Sequence, residues 1–250
     1  PKHIYQDYVG EKARQAPANL FPVGTGPYRV TEFKPGDVVL YEVNPQFRDK
    51  DQLGFQRVEL KGGGDATSAA RAVLQTGDAD FAFNLQVENN ILQSLAQGGQ
   101  GQVVADLGTL SERILFNFSD PDAARTNGDR ASVKFPHPFL QDPLVRQAIA
   151  LGIDRELIAQ QLYGVTGQAT ANVLLLPQEF ASSNTSYQFD PNQAQQLLDQ
   201  AGWRDSNGNG IRDKNGIEMQ LVFQTSVNPL RQKTQQVINC LLYTSPSPRD

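Results

Sequence analysis

Residues 142–162 read DPLVRQAIALGIDRELIAQQL, two helix starts in succession, and the rest of the chain is organised around them. Asp142 is placed to N-cap the first helix, with Pro143 at N1, where its missing N–H costs nothing. Leu144, Val145, Ala148 and Ile149 recur at three- and four-residue spacing, so one face of that helix is apolar. Gly152 ends it. Asp154 caps a second helix, with Glu156 in its first turn, where a negative charge suits the dipole. Leu157, Ile158 and Leu162 supply the buried face, and Gly164 reads as a left-handed terminator. The pair is a packing unit, without a nucleophile or a metal cluster.

The 250 residues suffice for one large domain or two small ones. Hydrophobic and charged contents of 39 % and 20 % are those of an ordinary globular chain. No apolar run is long enough to span a membrane. A net charge of −5 with mixed signs argues against nucleic acid or an anionic membrane as partner. Cys240 is the single cysteine, so there is no intrachain disulfide and no cysteine-based zinc site.

Working outward toward the N-terminus, residues 1–19 are polar and read as a linker or the end of a preceding segment. Pro22–Tyr28 (PVGTGPY) forms a constrained loop. It has neither GxGxxG nor GxxxxGK[ST] spacing and precedes a strand, so it reads as a structural turn and not as a phosphate cradle. Tyr28–Phe33 and Val38–Val43 alternate with period two around a Lys34–Asp37 turn, a β-hairpin that Asn44-Pro45 closes. Gln56–Leu60 is expected as a strand, Asp65 as the cap of a helix through Ala69, Ala72, Val73 and Leu74, and Phe81–Phe83 as a short buried strand. A helix over 86–97 follows, then strands at Val103–Ala105 and Glu112–Ser119. In the latter, Ile114, Phe116 and Phe118 share one side, with Leu115 and Asn117 on the other. Residues 120–137 are mostly polar and read as a loop between two lobes. Past the central pair, Asp190-Pro191 starts a third capped helix that Gly202 closes, with Trp203 packing back on it. A strand is expected at Met219–Thr225, and a helix begins near Pro229, its register lost at Cys240.

In this order, PVGTGPY with its hairpin, Asn44-Pro45, LQTGDADFA at 74–82, DPLVRQAIALGIDR at 142–155 and Ala201-Gly202-Trp203 before an Asp/Asn/Gly loop resemble the family 5 extracellular solute-binding proteins of ABC importers. The likeness runs over about residues 20–239. It implies an α/β chain of the periplasmic-binding-protein-like bilobal type II fold. Residues 20–119 would belong to the first lobe and 138–239 to the second. It also implies that the chain is an internal fragment, since full members are longer, open with a signal or lipoprotein sequence and return to the first lobe at their end. Residues 240–250 (CLLYTSPSPRD) resemble translated adaptor read-through and are expected to be a non-native tail. Such a fragment is expected to show exposed sheet edges and poor solubility.

The implied function is capture of an oligopeptide or other small solute between the lobes and delivery to ABC permease subunits. The protein would act as a monomer in the periplasm or outside the cell, free or lipid-anchored, with no cofactor. Peptide, nickel, sugar and opine binders all belong to the family, so peptide is the default ligand. The resemblance places Asn117 at the cleft near the inter-lobe crossing, where its amide suits peptide groups; the alternative is a strand residue satisfied locally. Phe116 and Phe118 read as core side chains first and as cleft wall second. Arg146 and Arg155 could fork onto a terminal carboxylate, but pairing with Asp142, Glu156 or a helix end is the favoured reading. Asp205, Asn207, Asn209, Ile211 and Asp213 follow positions 1, 3, 5, 7 and 9 of a calcium loop. Gly216 stands where the bidentate glutamate belongs, so a metal-free turn is favoured. His3 and His137 are far apart, and no HExxH or GxSxG motif occurs, so no catalytic residue is named. The competing functions are a secreted hydrolase on a related scaffold and a calcium-stabilised extracellular interaction module.

Overall fold

The computed structural model describes residues 2–106, 108–129 and 131–243. They fall into two compact units, Pro1–Asp65 and Ala66–Asp250.

In the first unit, a short helix α1 (Lys2–Tyr5) precedes a three-stranded antiparallel meander. The strands are β1 (Tyr28–Lys34), β2 (Val38–Val43) and β3 (Arg57–Lys61), in that order. The hairpin forms where alternation and turn residues place it, with Tyr28 opposite Val43 and Lys34 opposite Val38. A bulge between Val30 and Glu32 shifts the register. The PVGTGPY loop is fastened from across the sheet. The Asn44 side-chain amide donates to Gly26 O at 3.0 Å, and the Asn44 N–H donates to Pro27 O at 2.8 Å. No strand residue of this sheet is fully buried.

The second unit is mainly helical. Helix α2 (Ala66–Arg71) widens into π turns over Ala72–Thr76 and stops at Gly77, whose φ of +73° needs no Cβ to be accommodated. Leu74 packs there with Ala70, Val87, Leu92 and Leu95, the last two from α3 (Asn89–Ala96). A short α4 (Ala123–Thr126) is capped by Asp122. The central stretch folds as its caps dictate. Asp142 Oδ1 accepts the Leu144 N–H at 2.9 Å to open α5 (Pro143–Leu151). Asp154 Oδ1 accepts the Leu157 N–H at 2.9 Å to open α6 (Arg155–Ile158), which continues as wide turns to Tyr163. Gly164 does end it, but at φ 54° and ψ −124°, a region open to glycine and outside the left-handed helical well expected from sequence.

Helix α7 (Pro191–Gln200) packs on α5, capped by Asp190 and terminated at Gly202 (φ +83°). The Trp203 N–H returns to Leu198 O, closing the last turn. β4 (Asp213–Lys214) and β5 (Ile217–Glu218) form a tight hairpin. Helix α8 (Pro229–Tyr243) runs past Cys240, with Ile238 and Leu242 packed on Ile153, Ile158 and Leu162. The helical pattern therefore outlasts the point at which the sequence register was read as lost; residues 244–250 lie outside the described region.

The remaining strand expectations are corrected. Residues 81–83, 103–105, 112–119 and 219–225 join no named strand among the described residues, although Ser119 makes an isolated bridge to Pro136. Phe81 and Phe83 are 76 % and 83 % exposed, the opposite of a buried strand. Alternation fixes which side chains can share a face, but a strand also needs a neighbouring backbone to take its N–H and C=O groups. Along these stretches the described segments supply only scattered partners, such as the His137 N–H on Phe118 O and Arg212 O for the Met219 N–H, too few for a ladder.

The cap of α5 makes a direct test. Asp142→Ala is expected to cost about 1 kcal/mol of second-unit stability, and Asp142→Asn much less. Equal urea midpoints for the alanine variant and the parent would show that the cap carries no weight.

Candidate functional site

In the second unit Asn117 and Phe118 lie on one strap, residues 117–140. Two short stretches of it run antiparallel. Ser119 bridges Pro136, the Asp120 N–H donates to Phe135 O at 2.8 Å, and the His137 N–H donates to Phe118 O at 2.7 Å. Asn117 is exposed, and its Oδ1 accepts the Ser119 N–H at 3.0 Å. That bond orients the side chain and leaves its NH2 group without a partner among the described residues. Phe116 turns the other way, half-buried against the cluster of Phe139, Leu140, Val145, Ala201 and Trp203. Phe118 departs from the face it was expected to share with Phe116. It is 53 % exposed, with the Arg146 guanidinium 5.3 Å from its ring centre.

Arg146 is otherwise committed to structure, since its Nη1 donates to Leu140 O at 2.9 Å and to Gln141 O at 2.7 Å. Arg155 likewise donates to Ala150 O at the end of α5 and stacks on Tyr187. Burial lowers its affinity for its proton. The Tyr187 hydroxyl is pushed up to about 12, first by burial and then by donating to Glu156 Oε1 at 2.7 Å. Neither arginine forks onto a side-chain carboxylate of the central pair.

Behind Phe118 lies a charged cluster. Asp120 is buried and takes Arg125 bidentately, at 2.6 and 2.9 Å, and also accepts the Asp122 N–H. The Arg125 bond is the main reason its carboxyl sits below the usual carboxylate range. His137 is also buried, and its Nδ1 accepts the N–H groups of Phe139 and Leu140. Arg125, His137 and Phe139 form one wall of a cavity of about 700 Å³, which Ser206, Asp213 and Glu218 help to close. The sequence singled out neither Asp120 nor Arg125, and gave His137 no role. The one usable signal was an acceptor side chain followed by Pro138, which has no N–H, and then by two free backbone donors.

The Asp205–Asp213 loop holds itself together. Asp205 accepts N–H groups from Gly208, Asn209 and Gly210, and Asn207 and Asn209 accept from residues two further on. Asp213 accepts from both the backbone and the hydroxyl of Ser206, bonds that hold its carboxyl below the ordinary range. Glu218 Oε1 accepts from Asn209 Nδ2. The donor oxygens of the calcium pattern are thus engaged with protein N–H and O–H groups. Ser206, His137 and Asp213 share the cavity, yet the serine hydroxyl donates to Asp213 and the imidazole acceptor faces backbone. That wiring is not a nucleophile–base pair.

These features define an α/β chain in which capped helices pack around a strap that carries an exposed amide and an exposed aromatic ring. The sequence matches the family of bacterial extracellular solute-binding proteins, family 5 (middle), over residues 1–241, and the chain belongs to that family. The oligopeptide-binding protein AppA of Bacillus subtilis is 28 % identical over 234 residues, covering 90 % of this chain and 38 % of AppA. The glutathione-binding protein GsiB of Salmonella choleraesuis is 28 % identical over 188 residues, 74 % of this chain and 32 % of GsiB. The solved structure of Bacillus subtilis AppA with a nonapeptide superposes with a TM-score of 0.69 at 25 % identity, over 98 % of this chain and 45 % of that one. NikZ of Campylobacter jejuni, solved with Ni(L-His), gives 0.72 at 23 % identity over the same shares, a likeness of fold. The chain therefore has the bilobal type II fold class and spans less than half the length of the relatives it matches.

Proposed function

We propose that this chain is part of the substrate-binding component of an ABC importer. It captures oligopeptides or similar small solutes outside the cytoplasm and passes them to permease subunits. The observation that carries the reading is the family match over residues 1–241, alongside relatives named for oligopeptide and glutathione binding. On this reading residues 20–119 and 138–239 contribute to two lobes, and the strap between them reaches the ligand. Asn117, oriented through Ser119, offers its NH2 donors to peptide carbonyls, and Phe118 offers an exposed ring to a side chain. Contacts of this kind suit a site that reads main chain and tolerates varied side chains. The role is binding, not catalysis.

Thermal melting against di- to pentapeptides, nickel and oligosaccharides tests it. A bound peptide is expected to stabilise the native state by about 2.7 kcal/mol at a hundredfold excess over its Kd. Asn117→Ala is expected to weaken peptide binding by about tenfold, the loss of one good hydrogen bond. A shift with calcium alone, and none with any peptide, would replace this reading by the interaction module.

A further inference from the structure

We propose that His137 is an acid-sensitive clamp: neutral, it fastens the strap of residues 117–140 to the start of α5, and protonation opens that fastening. The ring is 5 % exposed and stands edge-on to Phe139, 4.5 Å between centroids. Its Nδ1 accepts from the N–H of Phe139 at 3.4 Å and of Leu140 at 3.2 Å. A neutral imidazole that accepts at Nδ1 carries its proton on Nε2. The next proton must therefore enter at Nδ1, turning an acceptor into a donor that faces two backbone donors. Both bonds are lost in one step. The His137 backbone is what ties Phe118 O into the antiparallel pair, so the loss loosens the segment that carries Asn117 and Phe118.

Among the described residues, the charged groups around the ring are few. Asp120 and Arg125 lie on the strap itself, Arg125 held by Asp120 and Asp122. Across the cavity stand Asp213, held by Ser206, and Glu218, held by Asn209 and Gln220. Burial of the ring is the main cause that moves its proton affinity below the ordinary 6.5; Asp120 opposes that shift and Arg125 adds to it. A histidine depressed in the fold keeps its clamp intact above about 6.5 and loses it as pH falls through the lower folded value. Asp120 is itself held below the usual carboxylate range, so in this window the charge changes at the histidine.

The molecule carries its own reporter. Trp203, the one tryptophan of the sequence, stands 5.3 Å from Phe139 between ring centroids, and Phe139 stands on His137. Its emission is expected to change in a one-proton transition with a midpoint below 6.5, while the far-ultraviolet circular dichroism stays constant. In His137→Asn the side-chain oxygen can still accept the N–H groups two and three residues on, but it does not titrate, and the transition is expected to vanish. The same transition in that variant, or none in the parent, overturns the proposal. Should the variant not fold, ring NMR of the parent decides it. There are two histidines, and loss of one signal in His3→Gln assigns the other. An Nε2–H tautomer with a depressed midpoint supports the clamp; an Nδ1–H tautomer or an ordinary midpoint overturns it. The effect on capture rests on the proposed function, with peptide affinity expected to fall over the same window in the parent and not in His137→Asn. If peptides fail to bind at all while the tryptophan transition holds, the capture reading fails and the clamp stands.

Discussion

Trp203→Ala is expected to remove about 3–5 kcal/mol from the stability of the second unit. The ring is 3 % exposed and packs edge-on against Phe139, with Val145 and Ala201 in the same cluster. A buried indole covers roughly 200 Å², about 5 kcal/mol as an upper figure at 25 cal/mol per Å². The backbone of Trp203 is a separate matter. Its N–H closes the end of α7 and its carbonyl accepts from Arg212 Nη1 at 2.6 Å, and alanine keeps both. The loss therefore reports the ring alone. Met219 lies beside the cluster, half-buried, and a flexible thioether can move partly into the gap. That relaxation draws the expected value toward the lower end. Urea unfolding followed by far-ultraviolet circular dichroism measures it, and a loss under about 1 kcal/mol would show that the cluster collapses around the truncation.

Trp203 was legible because its context is local. Asp190-Pro191 starts the helix, the apolar spacing sets its face, and Gly202 stops it one residue before the ring, all within fifteen residues of chain. The same holds for Asp142, Asp154 and the Tyr28–Val43 hairpin, whose turn and strands are neighbours in sequence. Residues 112–119 show where such reading stops. Alternation put Ile114 and Phe116 on a packed face, and both are half-buried. It extended the same face to Phe118, which the return stretch at 135–137 and Arg146 instead hold at the surface. Whether such a segment joins a ladder depends on a distant backbone, and no local pattern carries that information. His137 was invisible for another reason. Its role comes from a side-chain nitrogen meeting two main-chain donors after a proline, a geometry that a residue count can suggest only once the turn is known. Asn117 stands between these cases. The family resemblance nominated it, and the structure adds the Ser119 bond that orients it.

Leu74→Ala is expected to cost about 2–5 kcal/mol, in a separate core cluster of the second unit and by a different balance of terms. Leu74 is 1 % exposed and fills the space between Ala70, Val87, Leu92 and Leu95. It sits where α2 widens into π turns, and its carbonyl accepts from the Gln100 N–H at 3.2 Å. Gly98 lies close against this turn; a Cβ there would stand 2.7 Å from Gln75 Cα and 2.9 Å from Leu74 O. Backbone therefore holds the site open from one side, and it cannot follow a shortened side chain inward. Partial collapse, which lowers the cost at Trp203, is blocked here, so the value should fall in the upper half of the range. Gly98→Ala gives the complementary test. The added methyl must push the turn away, at about 1–3 kcal/mol, and in the double variant it cannot occupy the space vacated by Leu74, because the contacts are to backbone. The two sites share the turn at 74–75, which couples them, and the double variant is measured against the sum of the two losses. A double variant markedly more stable than that sum would mean that the turn moves into the vacated space, and that the glycine contact does not set the position of α2.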